Sequence, residues 1–271
     1  MEMFVFAAIA GILVGVLSGL LGIGGGVIMV PMFRLLFGLE PLAATATSLF
    51  TIIPTSLSGM TKHVRNKTCI PRVGLLCGVA GAFLSPIGVL AASASPAWAV
   101  MAAAALVIGY SAFTMFKKAL AAPKAGAAGK GAGAKAQPQA ADFAPAFTPA
   151  FVAKAVGIGI IAGFMSGYIG VGGGFIMVPL FMALLGVPMR LASGTSLLAV
   201  CILAIPGAVE QGILGNIDYL VGIATAAGSI PGAFLGASLV KRVPERSLRF
   251  GFAAFLLVVA VILVVNELLV I

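Results

Sequence analysis

Residues 19–36 read GLLGIGGGVIMVPMFRLL, and residues 167–184 read GYIGVGGGFIMVPLFMAL. At an offset of 148, eleven of these eighteen positions are identical: 19, 22, 24, 25, 26, 28, 29, 30, 31, 33 and 36. The same offset pairs Gly38 with Gly186, Thr47-Ser48-Leu49 with Thr195-Ser196-Leu197, and Gly59 with Gly207. Gly81-Ala82-Phe83 finds its counterpart in Gly232-Ala233-Phe234 after a small shift. Such self-similarity marks a duplicated unit. The chain divides into a first repeat (1–116), a linker rich in Ala, Gly and Lys (117–150) and a second repeat (151–271). Lys117, Lys118, Lys124, Lys130 and Lys135, spaced by Gly, Ala and Pro, give the linker the character of a solvated tether.

Composition fixes the solvent. Of 271 residues, 61% are hydrophobic and 8% charged, and the mean hydropathy is +1.20. A soluble domain carries roughly a quarter charged residues, so a soluble enzyme, a secreted disulfide scaffold and a disordered chain are excluded. The apolar runs are continuous rather than alternating, which excludes a β-barrel and leaves an all-α, multi-pass membrane protein. A net charge of +9 would suggest nucleic acid in a soluble protein. Here the bases fall between apolar runs, where they orient helices in a bilayer, and no nucleic-acid partner is read. Cys69, Cys77 and Cys201 show no metal or redox spacing and read as packing residues. No metal, cofactor or catalytic residue is assigned. The opening Met1-Glu2-Met3-Phe4 lacks a basic region and does not read as a cleaved signal.

Apolar runs lie near 3–36, 41–60, 73–94, 97–116, 151–186, 190–208, 220–240 and 248–266. One pass needs about 20 residues, so the two runs that contain the glycine clusters are too long for a single helix. Charge sets the topology. The loop 61–72 holds Lys62, Arg65, Lys67 and Arg72 and no acid, whereas its counterpart 208–219 holds Glu210 and Asp218 and no base. The linker is basic, as is 241–249 with Lys241, Arg242, Arg246 and Arg249 against Glu245. The positive-inside rule places 61–72, the linker and 241–249 in the cytoplasm and 208–219 outside. Equivalent loops then face opposite sides, so the repeats are inverted and each crosses an odd number of times. Five segments per repeat follow, with each long glycine-containing run split into a hairpin. Four plain helices per repeat in parallel arrangement is the rival reading.

Four glycines in five positions (Gly22, Gly24, Gly25 and Gly26; Gly170, Gly172, Gly173 and Gly174) precede Pro31 and Pro179 by five residues. Glycine costs a helix about 1 kcal/mol relative to alanine, and proline removes a backbone donor. Together they predict a helix broken at membrane depth, tolerated where it is buried in protein or lines a wet cavity. The N–H groups opening the second half-helix would then favour an anion. The alternative is close helix packing through small residues. No strand precedes the cluster, so it is not a dinucleotide fingerprint. Gly24, Gly25, Gly26, Gly172, Gly173 and Gly174, with Thr47, Ser48, Thr195 and Ser196 on the next helix of each repeat, form the candidate substrate site. Ser18 and Ser166 are weaker candidates. Those hydroxyls either bond back to their own helix or donate to a ligand.

His63, the single histidine, reads first as a surface residue of the basic loop and second as a gate; Arg65, Glu210 and Gln211 are the other gate or coupling candidates. No carboxylate lies clearly within a span to carry protons. Asn216 reads as turn chemistry. An intramembrane protease needs a nucleophile beside a base, and the sole histidine lies away from the apolar spans.

The motifs GLLGIGGGVIMVP at 19–31 and GYIGVGGGFIMVP at 167–179, each followed by Thr-Ser-Leu and a GAF-type helix, resemble the TauE/SafE family of membrane permeases, and GNID at 215–218 fits the second-half pattern. The resemblance covers all but the linker. It implies an inner-membrane transporter that exports a sulfur-containing anion, sulfite or a sulfonate such as sulfoacetate. The chain departs from the family in the long linker and in Asn66-Lys67-Thr68, where a glycine-bearing turn is typical. The expected mechanism is alternating access of two repeats around a central anion site; an anion channel of the same fold is the alternative. A non-transporting scaffold is the third. The expected partners are the anion and the bilayer, and a homodimer stays open.

Overall fold

The computed structural model describes residues 2–120 and 147–270. Among these the chain forms ten helices and no strand: α1 (Glu2–Leu21), α2 (Gly26–Phe37), α3 (Pro41–Arg65), α4 (Pro71–Ser93), α5 (Ala97–Leu120), α6 (Pro149–Ile169), α7 (Gly174–Leu184), α8 (Met189–Ile213), α9 (Tyr219–Leu239) and α10 (Glu245–Val270). Six are long and apolar enough to cross a membrane, and α2 and α7 are shorter apolar helices. Both ends of the stretch read as linker are helical, because α5 runs on to Leu120 and α6 begins at Pro149. Residues 121–146 of it lie outside the described residues.

Local chemistry explains the boundaries. Pro41, Pro71 and Pro149 occupy the first turns of α3, α4 and α6, where a missing N–H costs nothing. Thr148 caps α6 by accepting from Phe151 N at 3.2 Å, and Asp218 caps α9 by accepting from Val221 N at 3.0 Å. Each long glycine-containing run is two helices. The rings of Phe6 and Phe37 lie 6.3 Å apart, so α2 doubles back along α1 as a hairpin.

The repeats interlock. α1 lies along α9, and α6 lies along α4, so the first helix of each repeat packs on the fourth helix of the other. Gly11, Gly15 and Gly19 abut the backbones of Thr225, Ser229 and Ala233 in turn, which fixes α1 and α9 as parallel. Gly159, Gly163 and Gly167 abut Cys77, Gly81 and Ser85 in the same sense, so α6 and α4 are parallel too. A Cβ at Gly163 or Gly167 would collide with the facing carbonyl, the backbone approach that small residues permit within membranes. α3 follows α9, with Thr47 at Asp218 and Thr51 at Gly222. α3 and α8 cross antiparallel, with Leu49 near Gly207 and Leu197 near Gly59. Thus α1, α3 and α9 run one way, and α4, α6 and α8 the other.

Large apolar side chains point outward: Leu13 is 66% exposed, Phe83 74% and Leu106 72%. Inside are hydroxyls, among them Thr51, Thr55, Ser56, Thr225 and Ser229, all buried. Phe33, Phe175, Phe181 and Phe252 are buried with them, so the interior mixes apolar bulk with hydroxyls while the exterior carries many large apolar side chains. The helix ends sort charge into two faces. Lys62, Arg65, Lys67, Arg72, Arg190, Lys241 and Arg242 lie where α3 and α9 end and α4 and α8 begin, whereas Glu40, Glu210 and Asp218 lie at the opposite ends, together with one base, Arg34 in the last turn of α2.

Candidate functional site

The two breaks meet. Gly25 and Gly173, the N-caps of α2 and α7, adopt φ of 91° and 68°, a left-handed conformation that the following helices need in order to turn back. A Cβ at Gly26 would fall 2.6 Å from the Val171 carbonyl, and one at Gly174 would fall 2.7 Å from the Ile23 carbonyl. Each break therefore presses its backbone on the other, and only glycine fits. The helix is interrupted at both clusters and the same glycines also pack without side chains, so packing alone does not account for them.

Ile52 of α3 and Val200 of α8 pack on the breaks. Val200 Cγ1 would lie 2.8 Å from a Cβ on Gly24, and Ile52 Cδ1 2.9 Å from one on Gly172. These two are themselves related by the offset of 148, so they sit as a pair on the internal symmetry. Their apolar character drew no notice in the sequence, although their equivalence was available there. Gly24, Gly25, Gly26, Gly172, Gly173 and Gly174 are all buried. The backbone of Ile28 and Met29 bonds to Gly25 O, and that of Ile176 and Met177 to Gly173 O. The N–H groups of Gly26 and Val27, like those of Gly174 and Phe175, precede the first bonds within α2 and α7.

The hydroxyl pairs divide their work. Thr47 Oγ1 accepts from Asp218 N at 2.9 Å, and Thr195 Oγ1 accepts from Ile70 N at 2.9 Å. Each threonine thus holds the start of the other repeat's fourth helix. Ser196 Oγ lies 2.7 Å from Gly22 O and 2.8 Å from Ser193 O. Ser48 Oγ, its counterpart, is buried and has no hydrogen-bond partner; neither have Ser18 Oγ and Ser166 Oγ.

His63 is a buried residue, contrary to its first reading as a surface group. α3 extends to Arg65, so the basic loop shortens to residues 66–70 and the imidazole falls in the last helical turn, facing the protein. Nε2 lies 2.8 Å from Gly19 O, and Nδ1 lies 2.8 Å from Thr68 Oγ1. A carbonyl only accepts, so Nε2 carries the hydrogen; the Thr68 hydroxyl faces both Nδ1 and the His63 carbonyl, 3.2 Å away, so the Nδ1–Thr68 bond takes its direction from the protonation of the ring. Gln211 is buried at the end of α8, its Oε1 accepting from Asn216 Nδ2 at 2.7 Å, while its Nε2 has no partner. Arg65 is exposed and Glu210 half-buried, so neither joins the centre. Thr68 escaped notice, though the offset of 148 pairs it with Asn216 and His63 with Gln211. The atypical turn keeps its shape: Lys67 takes φ 56° where its equivalent Gly215 takes 72°. At the same loop, burial pushes the Cys69 thiol up to about 11, which keeps it protonated and unreactive.

A helical membrane protein with two broken, mutually packed hairpins belongs among multi-pass transporters. The chain belongs to the family described as sulfite exporter TauE/SafE, whose model matches residues 7–263. It is similar to the probable membrane transporter protein YunE of Bacillus subtilis (strain 168), 27% identical over 254 residues that cover 90% of this chain and 91% of that protein. It is also similar to the probable membrane transporter protein YdhB of the same organism, 29% identical over 234 residues covering 86% and 89% of the two chains. No solved structure matches it.

Proposed function

We propose that the chain exports a small sulfur-containing anion, sulfite or an organosulfonate such as sulfoacetate, across the plasma membrane by alternating access. The observation that carries this reading is the meeting of the two glycine breaks at the centre, where the openings of α2 and α7 bring amide groups and two helix-dipole ends together. Gly24, Gly25, Gly26, Gly172, Gly173 and Gly174 supply the close backbone approach, and Ser48 supplies an unpartnered hydroxyl. Thr47, Thr195 and Ser196, each bonded within the protein in this state, join the substrate when the repeats rearrange.

The opposed directions of α3 and α8 support repeats inverted across the bilayer. Lys62, Arg65, Lys67, Arg72, Arg190, Lys241 and Arg242 define the cytoplasmic face, where they concentrate anions before export. Flux from proteoliposomes tests the reading, with sulfite, sulfoacetate, taurine, sulfate and thiosulfate compared. Saturable flux and counterflow of one sulfur anion are expected; large single-channel currents, or no response to any of the five, would overturn it.

A further inference from the structure

Two carbonyl-facing donors at one end of the molecule have sequence equivalents at the other. At the basic end, His63 Nε2 donates to Gly19 O at 2.8 Å and Ser196 Oγ lies 2.7 Å from Gly22 O. The offset of 148 carries His63 to Gln211, Ser48 to Ser196, Gly19 to Gly167, Gly22 to Gly170 and Thr68 to Asn216. At the other end, therefore, Gln211 Nε2 and Ser48 Oγ are the matching donors. Both are buried and both lack a partner. In hydrogen bonds one end is fastened and the other is not, and the two donor pairs agree on which; the backbones close at both ends, Gly22 against Ser193 and Gly170 against Thr45, with Ser193 and Thr45 both buried. A buried donor without an acceptor is unfavourable, and the offset supplies the missing acceptors as the carbonyls of Gly167 and Gly170.

We propose that these donor pairs are the two gates of the transport cycle, His63 and Ser196 closing the basic face and Gln211 and Ser48 closing the opposite one, with His63 making the basic gate respond to protons. The structure is the state fastened at the basic face. Gly19 and Gly22 lie at the end of α1, directly before the break, so releasing their carbonyls frees the hairpin tip from α3 and α8.

Among the described side chains, the elements packed around the imidazole supply no acid. Its own helix ends with Lys62 and Arg65, the following turn holds Lys67 and the Cys69 thiol, and α4 begins with Arg72. α8 contributes Arg190 in the turn before Gly194, whose position abuts the ring. The C-terminal halves of α1 and α9 carry no titratable group. An imidazolium buried here would lose its hydration among bases with no carboxylate to compensate. Protonation therefore favours the state in which the ring reaches water, and acid unfastens the basic face. Gln211 does not titrate, so the opposite gate lacks this response.

The inference rests on the two-gate transport reading, and its test reads gate exposure without reference to any substrate. In the full chain reconstituted in liposomes, with Cys69, Cys77 and Cys201 replaced by Ala, single reporters are introduced as Ser193→Cys beside Gly22 or Thr45→Cys beside Gly170. Maleimide labelling rates are normalised to the unfolded chain at each pH. Near pH 7.5 the Thr45→Cys reporter is expected to label faster than Ser193→Cys. His63→Ala should raise Ser193→Cys labelling about fivefold, the worth of one hydrogen bond, while lowering that of Thr45→Cys. Acidification to about pH 5.5, below the ordinary histidine range, should do the same in the parent. His63→Gln, which installs the other gate's own donor and so is compatible with folding, should abolish the acid response; Gln211→His should transfer it to Thr45→Cys. An acid response unchanged in His63→Gln, or both reporters rising together in His63→Ala, would overturn the proposal. Reciprocal labelling without sulfur-anion flux would leave the gates standing and remove only the substrate.

Discussion

The glycines of this chain fall into two regions that use the same residue for different ends. Along the seams, where α1 meets α9 and α6 meets α4, they are helical and let two backbones run in contact for several turns. At the centre, Gly25 and Gly173 leave helical conformation and turn the chain, while Gly26 and Gly174 press one break on the other. The seams weld each repeat's first helix to its neighbour's fourth. The breaks lie between the seams, where, on the proposed transport reading, a change in relative position alters what the amides face. Small residues build the frame in one region and the proposed working part in the other.

Substitutions separate the two. The largest effect is expected at a seam: Gly163→Leu drives a side chain into the Gly81 backbone, an overpacking cost of about 3 kcal/mol, and should abolish the monodisperse protein in size-exclusion chromatography. Normal yield and melting temperature would show that the seams are looser than this packing implies. Gly25→Ala comes next. Its left-handed backbone costs about 1–2 kcal/mol for a residue with a side chain, so the protein should fold while anion flux falls about tenfold. Unaltered flux would remove the break from the transport path. Thr47→Val deletes the hydrogen bond to one helix start and should cost about 1 kcal/mol by thermal unfolding. Thr195→Val deletes its equivalent and also the bond from its hydroxyl to Leu191 O, and should cost somewhat more; a smaller loss at Thr195 would break the equivalence of the repeats. Smallest is Lys67→Gly, which relieves a left-handed backbone at φ 56° and should stabilise by about 1 kcal/mol; a loss would mean that the Lys67 side chain holds the turn.

Much of the architecture was legible because duplication doubles every signal. A single GxGGG with a later proline is ambiguous, but its recurrence at a fixed offset predicted two broken segments, and α1–α2 and α6–α7 are those segments. The basic and acidic loops likewise separated the two faces. The loop limits were less legible. His63 fell among bases, and charge density suggested a solvated loop, yet α3 continues to Arg65 and turns the ring inward. Periodicity carries no warning there, since one polar residue on a helix end contacts whatever the neighbouring repeat supplies, in this case Gly19.

The candidate site divides along the same line. The glycine clusters were visible because glycine and proline act on the backbone directly, through local sterics that need no partner. What the hydroxyls do depended on partners far away in the chain. Thr47 faces Asp218, Thr195 faces Ile70 and Ser196 faces Gly22, whereas Ser48 faces no acceptor. Two members of an identical sequence pair can thus hold different bonds, because sequence equivalence fixes which groups are available and not which are engaged in a given state.

Sequence by itself determined the solvent, the duplication, the places where helices break and the sorting of charge, all consequences of composition and local backbone energetics. Tertiary structure alone decided that each repeat's first helix belongs against the other's fourth, that Ile52 and Val200 pack on the breaks, and that His63 grips Gly19. Those are contacts between segments remote in the chain, selected by how two helical surfaces fit, and no local propensity encodes that fit.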